Sequence, residues 1–225
     1  TNDYRVYILL AGSPYIYESS NDELTSWTTR TLTPTSAIAS RFVYHDSKPY
    51  FTNISINLQR WDGGNSTTST VIPGGGIVTG LLWYKNSLFA GGSNVGIEQL
   101  NYIRWSGLEA PTTWPSTNYV KVVSSDSSFI TSLAVYIDEI LILKGASSPR
   151  FFADYSGRAS KAGGLWGLSG EPGGLQNGVY NLRKITTDVD GGIFPQANTI
   201  WKGRFIFQNG EGLWAFDGSS TVNLA

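Results

Sequence analysis

Two short patterns recur along this 225-residue chain in a shared register, and they constrain its fold more than any other feature. In the first, an aromatic residue is followed by Asp or Ser and then Gly: Trp61-Asp62-Gly63, Trp105-Ser106-Gly107, Tyr155-Ser156-Gly157 and Phe216-Asp217-Gly218, with Tyr17-Glu18-Ser19 as a degenerate fifth copy. Positions 17, 61, 105, 155 and 216 are spaced by 44, 44, 50 and 61 residues. In the second, an aromatic, a turn pair and an apolar strand follow one another at Tyr44, Tyr84, Tyr136 and Trp201, with spacings of 40, 52 and 65. The first pattern reads as a strand ending in a tight turn and the second as a hairpin. A repeat of roughly 40–50 residues is the length of one four-stranded propeller blade. The expected fold is all-β: a β-propeller of about five small four-stranded blades, closed by the N- and C-terminal strands.

The clearest copy runs from Asn101 to Leu143. It reads as a strand ending at Trp105 and a Ser106-Gly107 turn, a Pro-bounded loop carrying Trp114, and two apolar strands hinged at Ile137-Asp138-Glu139. β-Branched and aromatic residues dominate Phe129 to Leu143, so strands are favoured there over a helix. Upstream, two apolar segments flank Gly12-Ser13-Pro14 and enter the repeat partway through a blade. Little sequence follows Phe216-Asp217-Gly218, so the last blade is expected to take a strand from Asp3 to Leu10, which leaves no free edge. From Asn65 to Gly76 the chain reads as a polar and then glycine-rich connection. From Gly157 to Pro195 the pattern dissolves; the reading is one domain, 1–225, with a long irregular insertion at about 157–196 or an eroded sixth blade there.

With 40% hydrophobic and 15% charged residues the chain can bury a substantial core. A net charge of -1 argues against a dedicated nucleic-acid surface, because such domains are usually strongly basic. Cys is absent, which excludes disulfides and thiolate metal sites. Met is absent too, position 1 included, which suggests a processed protein or an excised domain. No apolar run reaches the length of a membrane-spanning helix, and Tyr4 to Ala11 is too short for a signal-peptide core, so a soluble chain is expected.

Motifs that carry chemistry are few. His45, the single histidine, lies beside Asp46 at a predicted hairpin turn with no nucleophile motif nearby, and adjacent turn residues do not supply the geometry of a catalytic triad. Asp46, Asp62, Asp138 and Asp217 all fall in turn positions, where Asp commonly serves its own backbone. Asp188-Val189-Asp190-Gly191-Gly192 lacks the spacing of a calcium loop, and Gly74-Gly75-Gly76 lacks the strand-to-helix setting of a phosphate loop. Asn53-Ile54-Ser55 and Asn65-Ser66-Thr67 match the short N-glycosylation triplet. Ser20, Asp22, Ser26 and Trp27 resemble the Asp-box turn of sialidase-like propellers, with Leu24 in place of its Gly; that turn is structural, its Trp packing between sheets. The expectation is a chain that is not an enzyme, with no catalytic residues, cofactor or metal.

One run resembles a known family. Trp105-Ser106, Leu108, Glu109, Pro111, Trp114-Pro115, Asn118-Tyr119, Asp126, Ile130-Thr131-Ser132-Leu133, Tyr136-Ile137-Asp138 and Leu143-Lys144 are similar to a segment of β-propeller virion proteins of tailed bacteriophages, which include tail hub, tail nozzle and head-tail junction proteins. The likeness spans Arg104 to Lys144; Ala110 departs from its acidic or Gly position, and the sequence after Lys144 diverges. It implies a structural role in the virion, at the tail or the head-tail junction, as a homo-oligomeric ring in contact with other virion proteins. A glycan-binding propeller that engages a host surface is the alternative, and a glycoside hydrolase built on a propeller, with convergent acids around its central channel, is a second rival. Contacts are expected on the 157–196 segment, where Leu165, Trp166 and Leu168 stand among glycines as an apolar anchor.

Overall fold

The computed structural model describes residues 6–9, 15–19, 26–31, 41–46, 48–53, 56–63, 66–72, 78–92, 101–122, 128–145, 164–171, 180–186, 198–209 and 212–224. The chain divides into two compact units, Thr1–Val71 and Ile72–Ala225. All the described strands pair antiparallel with their neighbours in sequence, which makes each sheet a simple meander. Among the described residues no helix is long and apolar enough to cross a membrane.

The first unit holds two sheets. One has three strands, β1 (Val6–Leu9), β2 (Tyr15–Ser19) and β3 (Thr28–Thr31). The other has four: β4 (Arg41–His45), β5 (Lys48–Asn53), β6 (Ile56–Gly63) and β7 (Ser66–Thr70). Tyr50, Phe51, Leu58 and Trp61 are buried here. The Ser/Thr run read as the start of a connection is instead β7, paired with β6 through Leu58↔Thr70 and Trp61↔Thr67. Its polarity suits an outermost strand, and threonine is a good strand former.

The second unit holds three four-stranded sheets. These are β8 (Gly80–Tyr84), β9 (Ser87–Gly91), β10 (Tyr102–Trp105) and β11 (Tyr119–Lys121); β12 (Phe129–Tyr136), β13 (Glu139–Gly145), β14 (Gly164–Ser169) and β15 (Asn181–Thr186); and β16 (Asn198–Trp201), β17 (Arg204–Asn209), β18 (Gly212–Phe216) and β19 (Thr221–Asn223). They pack face to face, with the β12–β15 sheet in the middle. Leu82, Phe89, Ile103 and Trp105 meet Ile130, Leu133, Ile140, Ile142 and Leu168 on one side of it. Leu141, Leu143 and Leu165 meet Phe205, Phe207 and Phe216 on the other. Successive residues of a strand point to opposite faces, so a strand covered on both must be apolar throughout. That is why β13 reads Ile140, Leu141, Ile142, Leu143 without alternation.

The second sequence pattern marks two-residue hairpins. Tyr84 pairs with Ser87 across Lys85-Asn86, Tyr136 with Glu139 across Ile137-Asp138, and Trp201 with Arg204 across Lys202-Gly203. Lys85 and Asn86 have φ of 43° and 63°, and Lys202 and Gly203 of 48° and 72°. Two successive positive φ values define the type I′ turn, whose twist matches that of the flanking strands. Ile137 at φ 55° is a β-branched residue in a costly conformation. The turn is held by the neighbouring sheet: the Tyr84 hydroxyl donates to the Asp138 carbonyl at 2.8 Å.

Two expectations about the repeat are corrected. The insertion is not irregular from 157 to 196, because β14 and β15 lie within it and complete the middle sheet. The third strand of that sheet ends at Leu168-Ser169-Gly170, with Leu168 where the other sheets place an aromatic and opposite Ile140; Tyr155-Ser156-Gly157 lies outside the described residues. The last sheet does not lack a strand, since residues 198–223 supply all four. Among the described residues the short sheet is the first, with three strands, and the hairpin pattern has no copy there.

Candidate interaction surface

In the second unit the tyrosine before each of the first two hairpin turns reaches toward the following sheet. Tyr84 OH donates to Asp138 O, and Tyr136 OH donates to Gly203 O at 2.8 Å. Around the first of these joins Lys85 Nζ lies 3.0 Å from Asp138 Oδ1 and 2.8 Å from Glu171 Oε1. The Glu171 and Asp138 carboxylates hold the Lys85 ammonium above its usual range, and Lys85 in turn lowers the Asp138 carboxyl. At the other end of the same two strands the Thr79 hydroxyl donates to the Ile130 carbonyl at 2.5 Å, and the Asn198 amide donates to the Ser132 hydroxyl between the next two sheets.

Trp201 occupies the same position in the last sheet and makes no such join among the described residues; it is 59% exposed. It lies opposite Arg204, and the two share a face with Ile206, Gln208, Leu213, Ala215 and Val222. Leu213 and Val222 are exposed, as is Leu224, whose N–H donates to the Leu213 carbonyl. Lys202 lies 4.6 Å from the Trp201 ring centroid. This apolar strip is on the side by which the β8–β11 sheet meets the middle sheet and the middle sheet meets the last. It is the candidate surface. Sequence reasoning read Trp201 only as a hairpin marker; the signal available was a Trp where the two earlier sheets place a Tyr whose hydroxyl has a partner.

The residues expected to make contacts are placed differently. Leu165, Trp166 and Leu168 stand on β14, not on a loop. Leu165 and Leu168 are fully buried in the two cores flanking the middle sheet, which removes them from any partner's reach in this fold. Trp166 is half-buried against the first core, with Lys184 5.3 Å from its ring and its indole N–H buried without a hydrogen-bond partner among the described residues. Gly167 between them is required by packing, since a Cβ there would run into the Glu139 carboxylate. That carboxylate receives Arg183 in a two-pronged ion pair, Nη2 at 2.5 Å and Nε at 3.1 Å.

His45 pairs in register with Lys48 at the end of its hairpin. Asp62 accepts from Arg60 Nε at 2.7 Å, with Lys48 Nζ at 3.6 Å. Ser20, Asp22 and Leu24 of the Asp-box resemblance lie outside the described residues, and Trp27 is exposed where packing between sheets was expected. Asp188 to Gly192 and Gly74 to Gly76 also lie outside them. Asp217 follows the backbone-serving pattern: Oδ1 accepts from the N–H groups of Ser220 and Ser219, each at 2.9 Å, and from the Ser219 hydroxyl at 2.9 Å.

These bonds favour the Asp217 carboxylate and hold its pKa well below the ordinary value. With the folded pKa depressed, the unfolded chain binds more protons as acid is added. The stabilising contribution is therefore complete above about pH 4 and is lost as pH falls toward the folded pKa. Asp217→Asn is expected to flatten the fall of the thermal midpoint between about pH 4 and pH 2, where the unfolded carboxyl titrates first. An unchanged acid slope would show that this turn contributes nothing.

No family model matches the chain, and no curated protein does. Among solved structures, similarity is found to an alpha-L-arabinofuranosidase from Clostridium thermocellum, at 12% identity and TM-score 0.45, covering 97% of this chain and 92% of the other. The WD40 beta propeller domain of Doa1 is similar at 14% identity and TM-score 0.39, covering 81% of this chain and 66% of the other. One expectation is corrected: the reading that this chain is not an enzyme is withdrawn, since one of the similar structures is an arabinofuranosidase and the reading rested only on missing motifs. A lack of recognisable sequence motifs is no ground for excluding catalysis in meander sheets of this kind, and at this identity no catalytic residue carries over.

Proposed function

We propose that the chain is a β-propeller component of a tailed-phage virion, at the tail or the head-tail junction, with five sheets as its blades and protein-protein contact as its role. The observation that carries the reading is the face bearing Trp201, Leu213, Val222 and Leu224. Within Ile72–Ala225 the equivalent face is covered twice by a further sheet, so this one is built to receive another. Contiguous exposed apolar surface of this sort marks association. The resemblance over Arg104 to Lys144 supports the same reading, its residues supplying the framework: Trp105, Ile130, Leu133, Tyr136 and Leu143 are all buried.

The test has two parts. Peptides of the chain are expected in purified tailed particles, with gold-labelled antibody bound at the tail end or portal vertex; particles that lack the chain overturn the virion reading. Trp201→Glu is expected to lower the stability of the isolated chain, if the face is covered within one molecule, or to dissolve its ring, if a second copy covers it. A monomer indifferent to the substitution overturns the docking role of this face. A strong selective response on a glycan array would favour receptor binding instead.

A further inference from the structure

The outer strands of the β8–β11 sheet carry a cluster that the reading above does not use. Tyr102 pairs with Lys121 and Arg104 with Tyr119, so the four side chains share one face of the sheet. The Arg104 guanidinium lies 5.5 Å from the Tyr102 ring centroid and 5.3 Å from that of Tyr119, and Lys121 Nζ lies 5.8 Å from Tyr102. The two rings are 5.2 Å apart. Arg104 is only 8% exposed, and its Nε–H is buried with no hydrogen-bond partner among the described residues.

A guanidinium has five N–H donors and no acceptor, and it is charged at every pH at which a protein is folded. The ring faces stabilise that charge but do not accept its N–H bonds in the plane where the donors point. Buried donors are nearly always paired, and an unpaired one at a charged group is among the costliest to leave. Arg104 is shifted downward by burial, and the charges acting on it among the described residues are those of Tyr102 and Tyr119, with no carboxylate among them. Buried charges are ordinarily paired with an opposite one; here Lys121 adds a second positive charge instead.

We propose that Arg104, framed by Tyr102 and Tyr119 with Lys121 at the rim, is the anchor of an oxyanion site that takes the phosphate or carboxylate group of a ligand. The fork of the guanidinium matches two oxygens of either group, and the tyrosine rings hold the fork in place before the ligand arrives. Lys121, exposed beside it, supplies attraction without a fixed geometry.

Inorganic phosphate and acetate, titrated separately into the full chain at constant ionic strength with chloride as the balancing anion, test this. The readouts are the Arg104 Nε–H resonance and the tyrosine ring resonances. A saturable shift is expected with at least one anion, and which of the two binds more tightly separates a tetrahedral from a planar group. Arg104→Met is expected to weaken binding by about tenfold or more, and Lys121→Gln by a few fold, as loss of a charge-assisted pair and of a rim charge predict. Lys121 is exposed, so its variant folds even if Arg104→Met does not. No saturable shift with either anion, or affinity unchanged in Lys121→Gln and in every folded Arg104 variant, overturns the proposal.

Discussion

Replacing Gly80 by Val is expected to destabilise the chain by about 3 kcal/mol or more, at the upper end of what overpacking a core does. Gly80 opens β8 where it passes β12. A Cβ at this position would stand 2.7 Å from Leu133 Cγ and 3.0 Å from the Leu133 backbone nitrogen. The side chain could swing away, but the nitrogen belongs to a strand of the middle sheet. Gly91, opposite Gly80 on β9, faces the same leucine: a Cβ added there would stand 3.1 Å from Leu133 Cγ. Leu133 therefore fits a notch made by two glycines. Denaturant midpoints measure the effect, and a double substitution gives the sharper test. Leu133→Ala alone should lower stability by roughly 2–5 kcal/mol through its cavity. Combined with Gly80→Val the loss should fall short of the sum by more than about 1 kcal/mol, because one change relieves the other. Additivity within about 0.5 kcal/mol would show that the two residues do not share this space.

Phe216→Ala should lower stability by about 3–5 kcal/mol, the range for removing a fully buried aromatic ring. Phe216 has no exposed surface and ends β18 opposite Phe205, with the Tyr136 ring centroid 5.7 Å away. Tyr136 also donates its hydroxyl to Gly203 in the last sheet's own hairpin. The substitution thus loosens the core and the hydrogen-bonded join between two sheets together. Phe216→Leu keeps most of the volume and should cost less than about 1.5 kcal/mol. Urea unfolding of both variants distinguishes the cases. Equal losses for Leu and Ala would mean that ring packing against Tyr136, not volume, sets the energy; a loss below about 1 kcal/mol for Ala would contradict the burial itself.

The contrast between two kinds of strand explains what could be read in advance. The hairpins at Lys85-Asn86 and Lys202-Gly203 were legible because type I′ turns and their flanking apolar runs are specified by a few adjacent residues. β14 was not. Its glycines at 164 and 167 break any alternation, and the reason for Gly167 lies elsewhere in the chain, in the Glu139 carboxylate that Arg183 binds. The substitution of Leu168 for an aromatic then hid the end of the strand and shifted the apparent repeat to Tyr155, on the wrong side of it. β7 was missed for a related reason. A Ser/Thr strand carries no apolar signal, and its pairing with β6 is what makes it a strand.

The sites divide in the same way. Trp166 stood out because tryptophan among glycines resembles a contact loop, yet it serves as a lid on its own core. Trp201 and Arg104 did not stand out, since each sits in a run whose local reading, hairpin or strand, is complete without it. Local chemistry determined the strands, the turns and their recurrence, because φ preferences and side-chain alternation act over a few residues. The tertiary structure decided which faces were covered and which donors were left without acceptors. Those depend on sheets brought together across dozens of residues, and no window of sequence contains both sides of such a contact.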